Sequence, residues 1–337
     1  QAQIFDDALQ MNHELSFSGA SDKINYFISS SYTDQEGTVI GSGFDRITVR
    51  TNVNADLNDW ISTGVALTAS RTNDDITLNS SSNGIISLSL LNNPATAVYN
   101  ADGTFAGPQT ADEIAFGIRN PIAEALSIRN TLTRNRIFGN IFAQFNISDN
   151  LNFRTEFGGD FGNNLSDRFQ PTFTYGVLER GESTLNVRRE NNDFWIIKNL
   201  LTYDNTFNEK HDVTMLLGQE VQESKWQGVI AQDGNFVSND IPVLGTGDAN
   251  DFNDQYIGSS ALESYFGRLI YSYDNRYNIT ASLRADGSSK FAEGNKWGYF
   301  PSVSGSWRLS NEAFMEDFES IQNIKVYGGY GEVGNQA

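Results

Sequence analysis

Three sets of side chains carry the chemistry this chain can offer. The first is charged or amide-bearing: Arg46, Arg50, Asn52 and Asn54, then Arg154, Glu156 and Asp160, then Arg284 and Arg308. Within each segment the spacing is even, which puts the set on one face of an extended strand. The second set is aromatic: Trp226, Phe236, Phe252 and Tyr256, with Tyr99 and Phe105 in an earlier stretch. These rings are interleaved with acids and amides. That mixture suits a sugar, which offers C–H faces to a ring and hydroxyls to carboxylates and amides. The same rings serve equally to pack their own loops. The third is the oxygen-rich run 247–254, where Asp248, Asp251 and Asp254 are candidate calcium ligands. Calcium prefers such oxygens, but the spacing is not that of an EF-hand, and a solvated loop has the same composition.

Other chemistries are excluded or left without support. The 337 residues contain no cysteine and only two histidines, His13 and His211, which rules out a thiolate site and a histidine-rich zinc centre. A Ser-His-Asp triad would need one of those two. A carboxylate pair can be picked by hand from so many acids, but without a cleft the choice has no content. No glycine-rich phosphate loop joins a strand to a helix. The chain is therefore not expected to be an enzyme or to need an organic cofactor. A net charge of −19 argues against nucleic acid as a partner. Mean hydropathy is −0.41, and no apolar run approaches the roughly 20 residues of a membrane helix. Barrel strands alternate and give no such peak, so a membrane remains open. Neither a basic segment nor an apolar core follows Gln1-Ala2-Gln3, and both ends read as points inside a longer protein.

The elements that must position these residues are strands. Period-two alternation predicts them at 13–20, 23–33, 44–56, 61–72, 131–147, 151–161, 193–207, 211–223, 262–273, 277–286, 299–309 and 323–333. In the stretch 44–56, Ile47, Val49, Thr51, Val53 and Ala55 oppose the arginines and asparagines. A short helix is expected near 85–91 and helical structure within 111–129. Connections alternate between tight turns and long excursions, the long ones near 73–130, 162–191, 224–261 and 287–298. In an up-and-down meander all the tight turns then lie at one end and all the long loops at the other, as in outer-membrane barrels. Trp60, Phe207, Tyr271, Tyr273 and Tyr277 sit beside the tight turns, where an aromatic girdle belongs. A charged inner face implies a wide lumen filled by water or a plug. The fold predicted is all-β, an antiparallel up-and-down transmembrane barrel contributing about 12 strands. A secreted soluble glycan-binding protein or enzyme, and a plugless porin-type or adhesin barrel, are the competing readings.

A set of linked motifs resembles one family. The run 285–291 (ADGSSKF), Lys296-Trp297-Gly298-Tyr299-Phe300-Pro301-Ser302-Val303-Ser304 and Ser306-Trp307-Arg308-Leu309-Ser310 is similar to the barrel signature of SusC/RagA-type TonB-dependent transporters of Bacteroidetes. Asn311-Glu312-Ala313-Phe314, the run from Ile324 to Gln336, and the N-terminal pieces at 12–13, 18–23, 35–37, 44–46 and 50–52 continue it. The long excursions match only loosely. The resemblance implies a plugged barrel of about 22 strands, of which residues 1–337 form part, in the cell outer membrane. It implies import of oligosaccharides or peptides, a SusD-like surface lipoprotein over the mouth, and energy from TonB–ExbB–ExbD acting through a plug. No plug or TonB-contacting segment is recognisable in these residues.

Overall fold

The computed structural model describes residues 3–78, 84–92, 96–315 and 322–335, with the backbone alone at 249–251. Twelve strands form one antiparallel sheet in which every strand pairs with its neighbours in the chain. They are β1 (Gln10–Ala20), β2 (Ile24–Glu36), β3 (Gly43–Asn58), β4 (Ile61–Asp75), β5 (Arg129–Ser148) and β6 (Leu151–Gln170). A small hairpin, β7 (Phe173–Tyr175) with β8 (Leu178–Arg180), stands apart in its own sheet. The wall resumes with β9 (Thr184–Phe207), β10 (His211–Gly234), β11 (Ala249–Tyr273), β12 (Tyr277–Ser288), β13 (Trp297–Arg308) and β14 (Lys325–Gly331). β1 and β14 pair on one side only, so the sheet is an arc of a barrel.

The connections keep the predicted alternation. Tight turns at 21–23, 59–60, 149–150, 208–210 and 274–276 lie at one end. Asn208, Glu209, Asp274 and Asn275 adopt positive φ in two of them, a conformation Asn and Asp tolerate better than most residues. The other end carries 37–42, 76–128, 171–183, 235–248 and 289–296. Two of the expected excursions are shorter than the sequence indicates. Segments 162–170, 184–191, 224–234 and 249–261 are strand, so β9, β10 and β11 run to 24, 24 and 25 residues. A membrane crossing takes only about 9–11, so these strands rise far above it.

The large excursion is ordered by short helices α1 (Ile85–Leu91), α2 (Ala111–Ala115) and α3 (Pro121–Ser127). Thr110 and Glu113 form a capping box on α2, and Pro121 opens α3 behind Asn120. Asn120 accepts from the amides of Ile122 and Ala123 and donates to the carbonyls of Val98 and Ala106. This ties the helix to the loop before it. The two apolar clusters among the described residues both lie at the long-loop end. One joins Ile4, Val39, Ile85, Ile122 and Ala125; the other joins Phe169, Leu185 and Phe236. The wall itself has no such core. It is one sheet with two faces.

Candidate functional site

Strand register decides what each face carries. Residues directly opposite in an antiparallel pair share a face, and alternate residues along a strand share it too. The row Arg154, Leu200 and Gly218 crosses β6, β9 and β10. From there the register runs through Phe266 to Arg284, and in the other direction through Gln144 and Ser62 to Asp56. Propagated through every pair, it puts Arg46, Arg50, Asn52, Asn54, Arg154, Glu156, Asp160, Arg284 and Arg308 on a single face. The opposite face carries Leu15, Ile47, Val49, Leu67, Ile137, Ile141, Phe157, Met215, Leu217, Leu269, Ile279, Leu283 and Val303, all exposed. An uncovered apolar sheet of this extent is foreign to a soluble monomer and is what lipid requires.

At the tight-turn end this apolar face closes in a belt of rings. Trp60, Phe145 and Phe153 follow one another at 6.4 and 6.3 Å between centroids. Farther along, His211, Tyr273, Tyr277 and Trp307 do so at 4.9, 6.3 and 6.2 Å. A second cluster, Tyr265 with Trp297, stands nearer the long loops. From Tyr277 to Gly287, opposite Trp297, the rise of about 3.3 Å per residue and a tilt of about 40° give roughly 25 Å of thickness. That equals the apolar band of an outer-membrane barrel.

Outside that band, Glu312 gathers the tight-turn end. Its carboxylate accepts from the Tyr277 hydroxyl at 2.7 Å, the Trp307 indole at 2.8 Å and Arg276 at 3.3 Å. The Tyr277 bond first, then the Trp307 bond, hold this carboxyl below the usual range.

The polar face is organised around arginines. Arg154 bonds Glu156 at 3.0 Å and lies 3.7 Å from the centre of the Phe142 ring. Arg284 reaches Asp286 at 2.7 Å, Ser264 at 2.8 Å and Glu220 at 3.4 Å, over the Phe266 ring. Arg136 grips Asp160 through two nitrogens and lies 4.8 Å over Phe138. Each guanidinium is thus oriented by a carboxylate and a ring together. Arg136, Phe138, Phe142, Phe266 and Glu220 are additions to the set chosen from sequence. The alternation Arg134, Arg136, Phe138, Asn140, Phe142, Gln144 along β5 is the signal that identifies most of them.

The aromatic candidates divide. Trp226, Phe252 and Tyr256 sit on β10 and β11, not in loops, because those strands extend past the expected ends. Phe236 does follow β10 but is buried against Phe169 and Leu185, so it packs a loop. Tyr99 and Phe105 stack on each other at 5.3 Å, with Phe105 edge-on to Tyr175. Of the calcium candidates, Asp248 precedes β11 and Asp254 lies within it, so extended backbone separates them; the Asp251 side chain lies outside the described residues. Among the described residues no cluster of three or more His, Cys, Asp or Glu is placed to hold a metal.

No family model matches the chain. By sequence it is similar to TonB-dependent receptor P3 of Formosa agariphila, with 31% identity over 344 residues, 99% of this chain and 34% of the relative. It is also similar to TonB-dependent receptor SusC of Bacteroides thetaiotaomicron, with 27% identity over 368 residues, 100% of this chain and 35% of the relative. The solved RagAB peptide importer in its closed-closed state aligns with a TM-score of 0.78 at 23% identity, over 98% of this chain and 37% of that one, which is a likeness of fold. The arc therefore has the fold of the wall of a TonB-dependent receptor barrel. Within that class the chain is SusC-like. It spans about a third of the length of the curated relatives it matches.

Proposed function

We propose that the chain forms part of the barrel wall of a TonB-dependent importer that carries an oligosaccharide or a peptide across the outer membrane. The observation that supports this best is the two-faced sheet: lipid-facing apolar residues on one side, and arginine–carboxylate pairs lining a hydrated passage on the other. The names of the relatives point the same way. In this reading a surface lipoprotein of the SusD kind closes the long-loop end. TonB, driven by ExbB and ExbD, works from the tight-turn end through a plug. The wall holds the passage open and does no covalent chemistry.

The test is uptake by cells producing the intact protein, with fluorescent oligosaccharide and peptide pools supplied separately. One pool should accumulate, and accumulation should stop on deletion of TonB or collapse of the proton gradient. Uptake that continues without TonB would leave a passive porin and sink the proposal.

A further inference from the structure

The polar face carries a feature above the membrane band that the wall does not need. On β10 and β11 two rings are set reciprocally across two glycines. Trp226 stands opposite Gly258, and Gly228 stands opposite Tyr256. A Cβ on Gly258 would meet the Trp226 indole at 2.4 Å, and one on Gly228 would meet the Tyr256 ring at 2.5 Å. Each ring therefore lies flat over the neighbouring strand and presents its other face to the lumen. Trp226 stays 42% exposed although it is among the largest side chains present.

The neighbours make this a built surface. Tyr256 donates to Glu190, and Arg188 bonds Glu190 at 2.7 Å and the Tyr256 hydroxyl at 3.4 Å, which fixes the second ring. Beside Trp226 is a recess of about 420 Å³ lined by Arg136, Asp160, Asn164, Asn192, Phe194 and Ser224. Gly162 sits in the same cross-strand row as Arg136, Asn192 and Trp226 and leaves the floor bare. The formal charges of the recess lining cancel, Arg136 and Lys225 against Asp160 and Asp193, with Asp160 clasped by Arg136 and, beside the Tyr256 ring, Glu190 clasped by Arg188. The lining thus carries no net charge to select a peptide's terminal ammonium or carboxylate. A neutral pyranose finds a ring face for its C–H bonds and amide, hydroxyl and ion-pair groups for its hydroxyls.

We propose that Trp226, with Tyr256 and the Arg136–Asp160 pair, forms a stacking subsite for a neutral sugar ring in the extracellular part of the passage. This rests on the import reading above and adds the substrate class. Trp226 lies seven residues past Gln219, the partner of Tyr265 in the upper ring cluster, which sets it roughly 18 Å beyond that cluster along the barrel axis. A glycan would meet it before the membrane-level passage.

The test titrates the intact protein in detergent with short malto-, cello-, laminari- and xylo-oligosaccharides and with a tryptic casein digest, read by calorimetry and tryptophan fluorescence. At least one oligosaccharide series should bind. Trp226→Ala should weaken it about tenfold or more and Trp226→Phe by less than about threefold. Gly258→Ala keeps the indole but displaces it, and should weaken binding as well. Heat-dependent gel migration verifies that each variant is folded; if Trp226→Ala is not, the Phe and Gly258 variants decide. Binding that ignores Trp226→Ala and Gly258→Ala overturns the subsite, as does failure of every oligosaccharide to bind. If the casein digest binds in a Trp226-dependent way, the sugar assignment falls. The import reading stands or falls separately on TonB-dependent uptake.

Discussion

Leu283 and Ser282 are neighbours in the chain and face opposite media. Leu283 stands between Gly267 and Pro301 on the apolar side, half exposed. Ser282 stands between Arg268 and Ser302 on the polar side, its hydroxyl 2.7 Å from that of Ser302. Both lie midway between the two ring clusters. Leu283→Arg should cost about 2–4 kcal/mol, the penalty for a cation at the bilayer midplane. Ser282→Arg should change stability by less than about 1 kcal/mol, because its side chain enters a hydrated lumen. Denaturant unfolding of the intact protein in lipid vesicles measures both. Equal effects would mean that the faces are assigned wrongly.

The Glu312 cluster makes a pH prediction. Bonds from Tyr277, Trp307 and Arg276 depress the folded-state pKa of this carboxyl. A depressed carboxyl contributes stability above its unfolded value and loses it as pH falls through the folded one. The cluster should be intact at neutral pH and come apart below the usual carboxylate range, detected as a shift in Trp307 emission. Glu312→Gln should show no such acid transition.

Arg154 tests the ring-and-carboxylate pattern. Its guanidinium is 3.7 Å from the Phe142 centroid and bonded to Glu156. A lysine keeps the charge but not the plane that stacks. Arg154→Lys should cost about 1 kcal/mol, and a double-mutant cycle with Phe142→Leu should return a coupling of about 0.5–1 kcal/mol.

Asp233 is buried, and its carboxylate accepts from the amides of Gly234 and Gly245 at 2.7 Å and of Gly247 at 3.1 Å. It pins both ends of the 235–248 connection. Asp233→Ala strands these donors, each costing about 1–3 kcal/mol if it stays dry. Limited proteolysis should cut this loop many times faster in the variant, while the heat-dependent migration of the barrel is unchanged.

The wall was legible in the sequence wherever its two faces meet different media. Along β3, β4 and β12 lipid demands apolar residues and water demands polar ones, so period two is plain and the charged residues fall on the face where register puts them. The upper parts of β6, β9, β10 and β11 meet water on both sides. Stretches such as 188–193 (RRENND) are polar at every second position and at the ones between, so they read as loop. For this reason Trp226 and Tyr256 were expected in an excursion and stand on strands. Phe236 was open between two readings for a different reason: in an otherwise polar stretch, a ring that packs a loop has the same sequence context as one that binds a ligand, and its burial against Phe169 and Leu185 is the packing one.

The cluster at Ile4, Val39, Ile85, Ile122 and Ala125 draws on three separate pieces of chain: the N-terminal segment, the 37–42 connection and the 76–128 excursion. Exchanging the excursion alone between receptors would therefore leave Ile4 and Val39 facing a stranger. A graft meant to swap specificity has three parts, and its seams lie at the upper ends of β1, β2, β3, β4 and β5. The wall below, which draws its stability from lipid and ladder hydrogen bonds, would accept such a cassette without redesign.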